Sequence, residues 1–360
     1  QMRGRFLAGA ADLHGITGDV ADRLWDKVLA FASYGFPESH AQSFASLVYF
    51  SAWFKYHHPA EFCVALLRAQ PMGFYSPQSL ISDARRHGVT VLPVDVNASG
   101  AEPSVEHGAI RLGLAAVKGI GQDVAERIVA ARASGATLAT GRFGEIADLS
   151  RDAGLTVDQV EALARAGACE SLGLDRRQAV WAAGIAATER PGMLPGTSVA
   201  STPALPGMSD LELAAADIMS TGITSDGHPV RLLRDRLDAW PGNHPVVPAS
   251  GLLDVADGRR VLVAGVVTHR QRPMTAGGVT FLGMEDETGL INVMVAPGLW
   301  RAQRRVAATA RMLLVRGIVE NASGAATVRA DRLADLAAVG GGSGECTGAV
   351  ALAGRSRDFR

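Results

Sequence analysis

The sequence predicts a multidomain chain, α then β: a helical first half followed by a five-stranded barrel. Three observations carry this. Up to about residue 187, apolar residues recur at helical spacing, as in Val20, Leu24, Val28 and Phe31. From Arg260 the period falls to two, in Val261 to Val267 and again in Val279 to Glu285. Between these regions, residues 188–209 are rich in Pro, Gly, Ser and Thr and read as a flexible linker. At 360 residues, 48% of them hydrophobic, the chain has room for two or three domains and the apolar content to fill their cores.

Composition excludes several function classes. A formal net charge of -1 rules out a uniformly basic nucleic-acid coat, although local patches stay open. Lysine occurs only at Lys27, Lys55 and Lys118, so the basic residues are almost all arginine. Cys63, Cys169 and Cys346 stand far apart, with no Cys-x-x-Cys. Neither a zinc site nor a disulfide framework is indicated, and a reduced, cytoplasmic setting fits. No signal peptide and no apolar run long enough to cross a bilayer is present, so no membrane partner is expected. Gln1-Met2-Arg3 is an unusual start and suggests a chain cut from something longer.

Residues 1–77 read as helices. Asp19 is placed to cap the first periodic stretch, Gly35 and Pro37 break it, and Ser39 is placed to cap the next, through Phe44, Leu47, Val48 and Trp53 to Lys55. Pro59 opens another, Ala60 to Leu67. Residues 78–112 form a connector with short strands around Val89 to Asn97. Its Arg85-Arg86-His87 triplet suits either a phosphate contact or a solvated helix end.

The chain is organised around residues 114–128. Leu114 and Val117 lie three apart on one helix face, and Val124, Ala125 and Ile128 repeat that spacing on a second. Gly119 and Gly121 let the backbone turn sharply between them, and Ile120 is the apolar peg of the turn. The second helix begins at once, so its free N–H groups and positive dipole end form an anion seat, for which a DNA phosphate is a candidate. Lys118 stands beside it. The pattern resembles the helix-hairpin-helix motif, which grips a nucleic-acid backbone without reading bases; the alternative is a helical turn with glycine caps. A second, degenerate hairpin follows within residues 113–187: Thr156 caps one helix with Gln159 three residues on, and Asp175 caps the next. Arg176 and Arg177 sit in that helix's first turn, against the dipole preference. Either a nearby phosphate or a salt-bridged surface would offset this.

Residues 188–252 read as the flexible linker with short helices, one of them from Ser209 to Met219. Residues 253–338 carry five short strands with a helix around Trp300 before the fourth, which is the order of an OB barrel. The turn Glu285-Asp286-Glu287-Thr288-Gly289 strengthens that likeness. Arginines outnumber acids here, and Arg260, Arg270, Arg272, Arg316 and Arg329 are candidates for a basic groove that meets single-stranded template or a protein partner. Phe281 is the barrel's only phenylalanine, so stacking platforms are few and binding is expected to be salt-sensitive. Residues 339–360 form a glycine-rich tail.

Several blocks carry a family resemblance. Tyr34-Gly35-Phe36-x-x-Ser39-His40-Ala41, Ala52-Trp53-x-Lys55 and His58-Pro59-Ala60-Glu61-Phe62 look like the end of the fingers in bacterial C-family DNA polymerases, the alpha subunits of polymerase III and their error-prone paralogues. Gln70-Pro71-Met72-Gly73-Phe74-Tyr75-Ser76-Pro77, Asp83-Ala84-Arg85-Arg86-His87-Gly88-Val89 and the terminal Ala353-Gly354-Arg355-Ser356-Arg357-Asp358-Phe359-Arg360 look like the error-prone branch. Gly227-His228-Pro229 resembles the element that hands the chain to the last module. The resemblance implies the C-terminal part of an error-prone polymerase: an all-α fingers tail, a tandem helix-hairpin-helix region, then the OB module. It implies DNA synthesis in damage tolerance by the intact protein, with deoxynucleoside triphosphates and Mg2+. It also implies Tyr34, Ser39 and His40 near the incoming nucleotide. Replicative relatives carry a sliding-clamp motif in the linker; none stands here, so a mutagenesis adaptor giving indirect access to the clamp is the expected partner. A non-catalytic DNA-binding or adaptor protein built from the same modules is the rival reading.

Polymerisation needs converging carboxylates that hold two metal ions. No Asp-x-Asp strand occurs, and the one tight acidic cluster, Glu285-Asp286-Glu287, reads as a hairpin tip, so no catalytic residue or metal ligand is assigned in this chain. Pro37 and Glu38 stand where the family has an amide and a lysine, which removes a polar contact and a positive charge near the triphosphate. Restoring both, Pro37→Asn with Glu38→Lys, is expected to lower misincorporation by the intact enzyme; an unchanged error frequency contradicts a loosened pocket.

Overall fold

A computed structural model describes residues 2–33, 38–73, 75–134, 141–189, 192, 202–322, 324–336 and 357–359. The chain divides into two units, Gln1–His58 and Pro59–Arg360. The first holds α1 (Met2–His14), α2 (Asp19–Ser33) and α3 (Glu38–His57). Phe6 meets Trp25 with ring centroids 5.4 Å apart, and Arg3 pairs with Asp22 at 2.8 Å. Because α3 begins at Glu38, Ser39 lies in its first turn and not at its cap. Leu47, Val48, Tyr49, Phe50, Phe54 and Tyr56 on α3 are all exposed. A helix apolar all round is one built to be covered.

The second unit starts with α4 (Pro59–Arg68), whose first residue lacks an N–H where none is needed. Ser76 then caps α5 (Pro77–Arg86) by accepting from the Ser79 amide at 3.1 Å. A small sheet follows, β1 (Val91–Leu92), β2 (Ser104–Glu106) and β3 (Ala109–Arg111), in the order β1-β3-β2. The chain leaves β3 into a single 3-10 turn, Leu114–Ala116, and then α6 (Gly121–Ala133). The first limb of the hairpin is thus one short turn and not a helix. Val117 is already extended, with φ -74° and ψ 123°, which leaves only three residues for it. α7 (Ile146–Ala153), α8 (Val157–Arg165) and α9 (Arg176–Ala186) complete the helical region. Thr156 with Gln159 forms the expected capping box, and the expected cap Asp175 forms a second box with Gln178. Leu114, Ile120, Ile128, Leu149 and Leu163 are buried in one shared core.

α10 (Asp210–Ser220), capped by Ser209, and α11 (Arg234–Asp238) lead to the barrel. Its strands are β4 (Arg260–Gln271), β5 (Thr280–Glu285) and β6 (Leu290–Val295), then β7 (Met312–Ala322) and β8 (Ala325–Asp335) behind α12 (Pro297–Ala302) and α13 (Arg304–Thr309). The helix expected before the fourth strand is broken at Gln303, whose side chain bonds both polar backbone groups of Leu333 at 2.9 Å. Pairings β4–β5, β5–β6, β6–β8, β8–β7 and β7–β4 close five strands into the OB barrel. Alternation sends Val263, Leu282, Ile291, Val293 and Val315 inward. Leu262, Ala264, Met312 and Leu314 face outward and are covered by Ala214 of α10, Val230, Leu233 and Leu237. A short further strand, β9 (Arg357–Phe359), pairs in parallel with β4.

Ionic contacts tie the helical region to the barrel. Arg86 donates to Glu285 at 2.9 Å, and Glu285 is only 1% exposed. Burial pushes its carboxyl up, although Arg86 and Ser79 act the other way. Arg85 donates to the carbonyls of Ser225 and Gly227 at 2.6 and 3.3 Å. Both arginines of the basic triplet are therefore spent on the protein. The acidic cluster does the same from the other side: Glu287 takes Arg234 at 2.6 Å, and Asp286 accepts the amides of Ala249, Thr288 and Gly289.

His228 is buried, and its Nδ1 accepts the Val230 amide at 3.3 Å. Burial, with Arg86 nearby, pushes it down to about 3. The unfolded chain therefore takes up a proton near pH 6.5 that the folded chain refuses, and stability is lost as pH falls below that value toward 3. His228→Asn keeps an acceptor without the titration. The stability advantage of the wild type over this variant should shrink by about 1.4 kcal/mol per pH unit below about 6. Parallel pH profiles for the two would contradict the assignment.

Candidate nucleic-acid interface

The hairpin places its backbone as the spacing requires. Gly119 and Gly121 both have positive φ, 91° and 55°, which L side chains rarely adopt. Ile120 is 1% exposed and pegs the turn into the core, whereas Gly119, Gly121, Gln122 and Asp123 are exposed. α6 has no side-chain cap at its start. Its first amides and its positive dipole end thus face solvent, a geometry that accepts an anion. The Lys118 backbone amide donates to Ser220 at 2.8 Å, and its ammonium donates to the carbonyls of Ile218 and Met219 at 3.3 and 2.5 Å. Lys118 therefore holds the C-terminal end of α10, where a cation suits the dipole. One of its three donors is left for another acceptor.

Arg176 and Arg177 stand elsewhere than expected. Arg176 is 7% exposed, pairs with Asp217 at 2.6 Å and donates to Leu213. Arg177 pairs with Glu212 at 2.8 Å and donates to the Pro206 carbonyl. The first-turn arginines are offset by carboxylates of α10, the salt-bridged alternative of the two their position left open. Arg270 is a second correction. A bulge between Val267 and His269 turns it inward, where it is 6% exposed and donates to the carbonyls of Ala307 and Ala310 at the end of α13. Arg260 and Arg316 share Asp331, at 2.9 and 2.6 Å, and Arg329 pairs with Glu320 at 2.6 Å. These three stay partly exposed, and Arg272 is exposed in the loop after β4.

The barrel also has an organised outer face that the sequence did not disclose. Strand register aligns Gln271, Phe281, Met294 and Arg329 in one row across β4, β5, β6 and β8. His269, Gly283, Asn292 and Thr327 form the next row. The His269 ring fills the space where a side chain on Gly283 would stand. Phe281 is 38% exposed, so the face offers an open phenyl ring in the row that ends on Arg329, two strands away.

A helix-hairpin-helix motif family model matches residues 88–179, and an OB-fold nucleic acid binding domain model matches residues 261–336. The chain is 62% identical over 335 residues to the error-prone DNA polymerase of Corynebacterium glutamicum, a match that covers 93% of this chain and 30% of that protein. It is 59% identical to the Corynebacterium jeikeium protein of the same name, with 100% and 34% covered, and 54% identical to that of Mycobacterium tuberculosis, with 100% and 31% covered. The chain belongs to the error-prone DNA polymerase family. It spans about a third of the length of the relatives it matches.

Among the residues that the polymerase resemblance singled out, Tyr34 lies outside the described residues. Ser39 is in the first turn of α3. His40 is exposed, with its ring 4.5 Å from that of Phe44. Among the described residues, no three His, Cys, Asp or Glu side chains stand together as a metal site. The carboxylates of Glu285 and Glu287 face arginines, so this cluster does not fit Mg2+.

If Lys118 anchors α10, Lys118→Met should speed amide hydrogen exchange in the last turn of α10 and leave the barrel strands unchanged. Equal exchange in α10 would contradict that role.

Proposed function

We propose that this chain is the DNA-holding, C-terminal part of an error-prone DNA-directed DNA polymerase that acts in translesion synthesis. The observation that carries the reading is the exposed, uncapped start of α6 behind Gly119-Ile120-Gly121, in a chain that matches error-prone polymerases over nearly its whole length. In this scheme the amides of Gly119, Gly121, Gln122 and Asp123 take phosphates of the duplex product, the Ile120 amide being spent on the Val117 carbonyl at 3.0 Å, and Lys118 adds its remaining donor. Contacts to phosphate hold DNA in position and carry no base information. The outer face of the barrel, with Phe281, Arg329 and the nearby Arg260, Arg272 and Arg316, meets single-stranded template.

The intact protein would add nucleotides from deoxynucleoside triphosphates with Mg2+ held by carboxylates outside this chain. Tyr34, Ser39 and His40 would border the incoming nucleotide. The remaining two thirds of the polymerase would cover the apolar surface of α3, since Leu47, Tyr49 and Phe50 would otherwise stay in water. A mutagenesis adaptor would supply indirect access to the sliding clamp. No described helix is long and apolar enough to cross a membrane, which fits work on DNA in the cytoplasm.

Valine at both Gly119 and Gly121 strains the left-handed backbone at the phosphate seat. Duplex affinity, read by fluorescence anisotropy, should fall roughly tenfold and equally for duplexes of unrelated sequence, as phosphate contacts require. A loss confined to some sequences would contradict the backbone grip.

A further inference from the structure

β4 changes partners along its length. It pairs with β7 as far as Val266 and with β5 from Val266 to Gln271. Beyond the bulge at Val267 and His269, the edge that faced β7 has lost its neighbour, and β9 takes it: His269 aligns with Arg357, Arg270 with Asp358 and Gln271 with Phe359. An unpaired edge inside a barrel wall leaves amides and carbonyls without partners, so a strand from the chain's own end has a physical reason to stand there.

The register does more than seal an edge. It extends both rows of the outer face by one strand. The first becomes Phe359, Gln271, Phe281, Met294, Arg329, and the second Arg357, His269, Gly283, Asn292, Thr327. The barrel's own strands contribute one phenylalanine to this face; β9 brings a second aromatic residue to the same row, two strands away. It also brings a cation, Arg357, to the second row. Aromatic positions among cations are what single-strand binding uses, with bases stacking and phosphates following the charge.

We propose that β9 is a working part of the single-strand-binding face, with Phe359 as a second base-stacking residue and Arg357 as a phosphate contact. This rests on the reading of the barrel as a single-strand binder. The ligand class is single-stranded nucleic acid. A protein strand added at the same edge of β4 is the competing occupant.

The test uses the full 360-residue chain and a labelled oligothymidylate longer than the ~16 nucleotides that an OB barrel spans at most. Affinity is measured at two salt concentrations, with thermal melting as the folding control. Phe359→Ala should weaken binding roughly tenfold, as loss of one stacked base does, and Phe359→Tyr should restore it. Arg357→Gln should lower the salt slope by about one. Phe281→Ala serves as the barrel's own control. If it weakens binding while Phe359→Ala and removal of residues 357–360 leave it unchanged, the barrel reading stands and the role of β9 is overturned. If removal of 357–360 tightens binding, the strand competes with the ligand, and the proposal is overturned in favour of an edge kept for another occupant. If neither the wild-type chain nor any variant binds the oligomer, the barrel reading fails and the proposal fails with it.

Discussion

Two segments converge on the carboxylate of Asp217, and a third holds the end of its helix. Arg176 of α9 reaches it at 2.6 Å, the Ser225 amide donates to it at 2.5 Å, and its own helix α10 ends on Lys118 of the hairpin. Both charged side chains of the Arg176–Asp217 pair are nearly buried, at 7% and 5% exposure. A buried pair adds little net stability once its desolvation is counted, but removal of one partner leaves the other charged and unpaired, at a cost of about 3–5 kcal/mol. The pair therefore fixes geometry more than it supplies stability. It acts with Lys118 at the end of α10, Arg177 at Glu212 and the packing of Ala214 on the barrel.

From Asp217 the constraint passes outward. The turn after α10 receives Arg85 at Ser225 and Gly227, and Arg86 beside it holds Glu285 at the end of β5. Gln78 of α5 binds Thr224 in the same turn, through Oε1 and the Thr224 amide at 2.8 Å. On its other side the segment from α10 to α11 covers the outward apolar residues of β4 and β7. The hairpin and the barrel thus share one scaffold within residues 59–360. A duplex held by phosphates at one and a single strand laid over the other would keep a fixed spacing, with little conformational freedom lost on binding.

Much of this was legible in the sequence because it is local. The glycines at 119 and 121, the caps Thr156 and Asp175 and the period-two strands each depend on residues within a few positions. What was not legible depends on partners far along the chain. Arg176 and Arg177 look alike in sequence to phosphate-binding arginines, and only the fold brings Asp217 and Glu212, about 35–40 positions on, to them. Arg270 fits an exposed strand position by alternation, but a one-residue bulge reverses its side. The first limb of the hairpin shortens to a 3-10 turn because the sheet before it consumes the residues that a helix would need. The outer rows could not be read at all, since they exist only once register is set.

The central claim is that backbone amides at the start of α6 hold DNA by its phosphates. Amide hydrogen exchange at Gly119, Gly121, Gln122 and Asp123, followed with and without a saturating blunt duplex, tests it most directly. The account predicts slowed exchange at these amides with every duplex sequence, and loss of that protection at high salt. Unchanged exchange at these four amides, with protection at other elements of a chain that has bound the duplex, would contradict it.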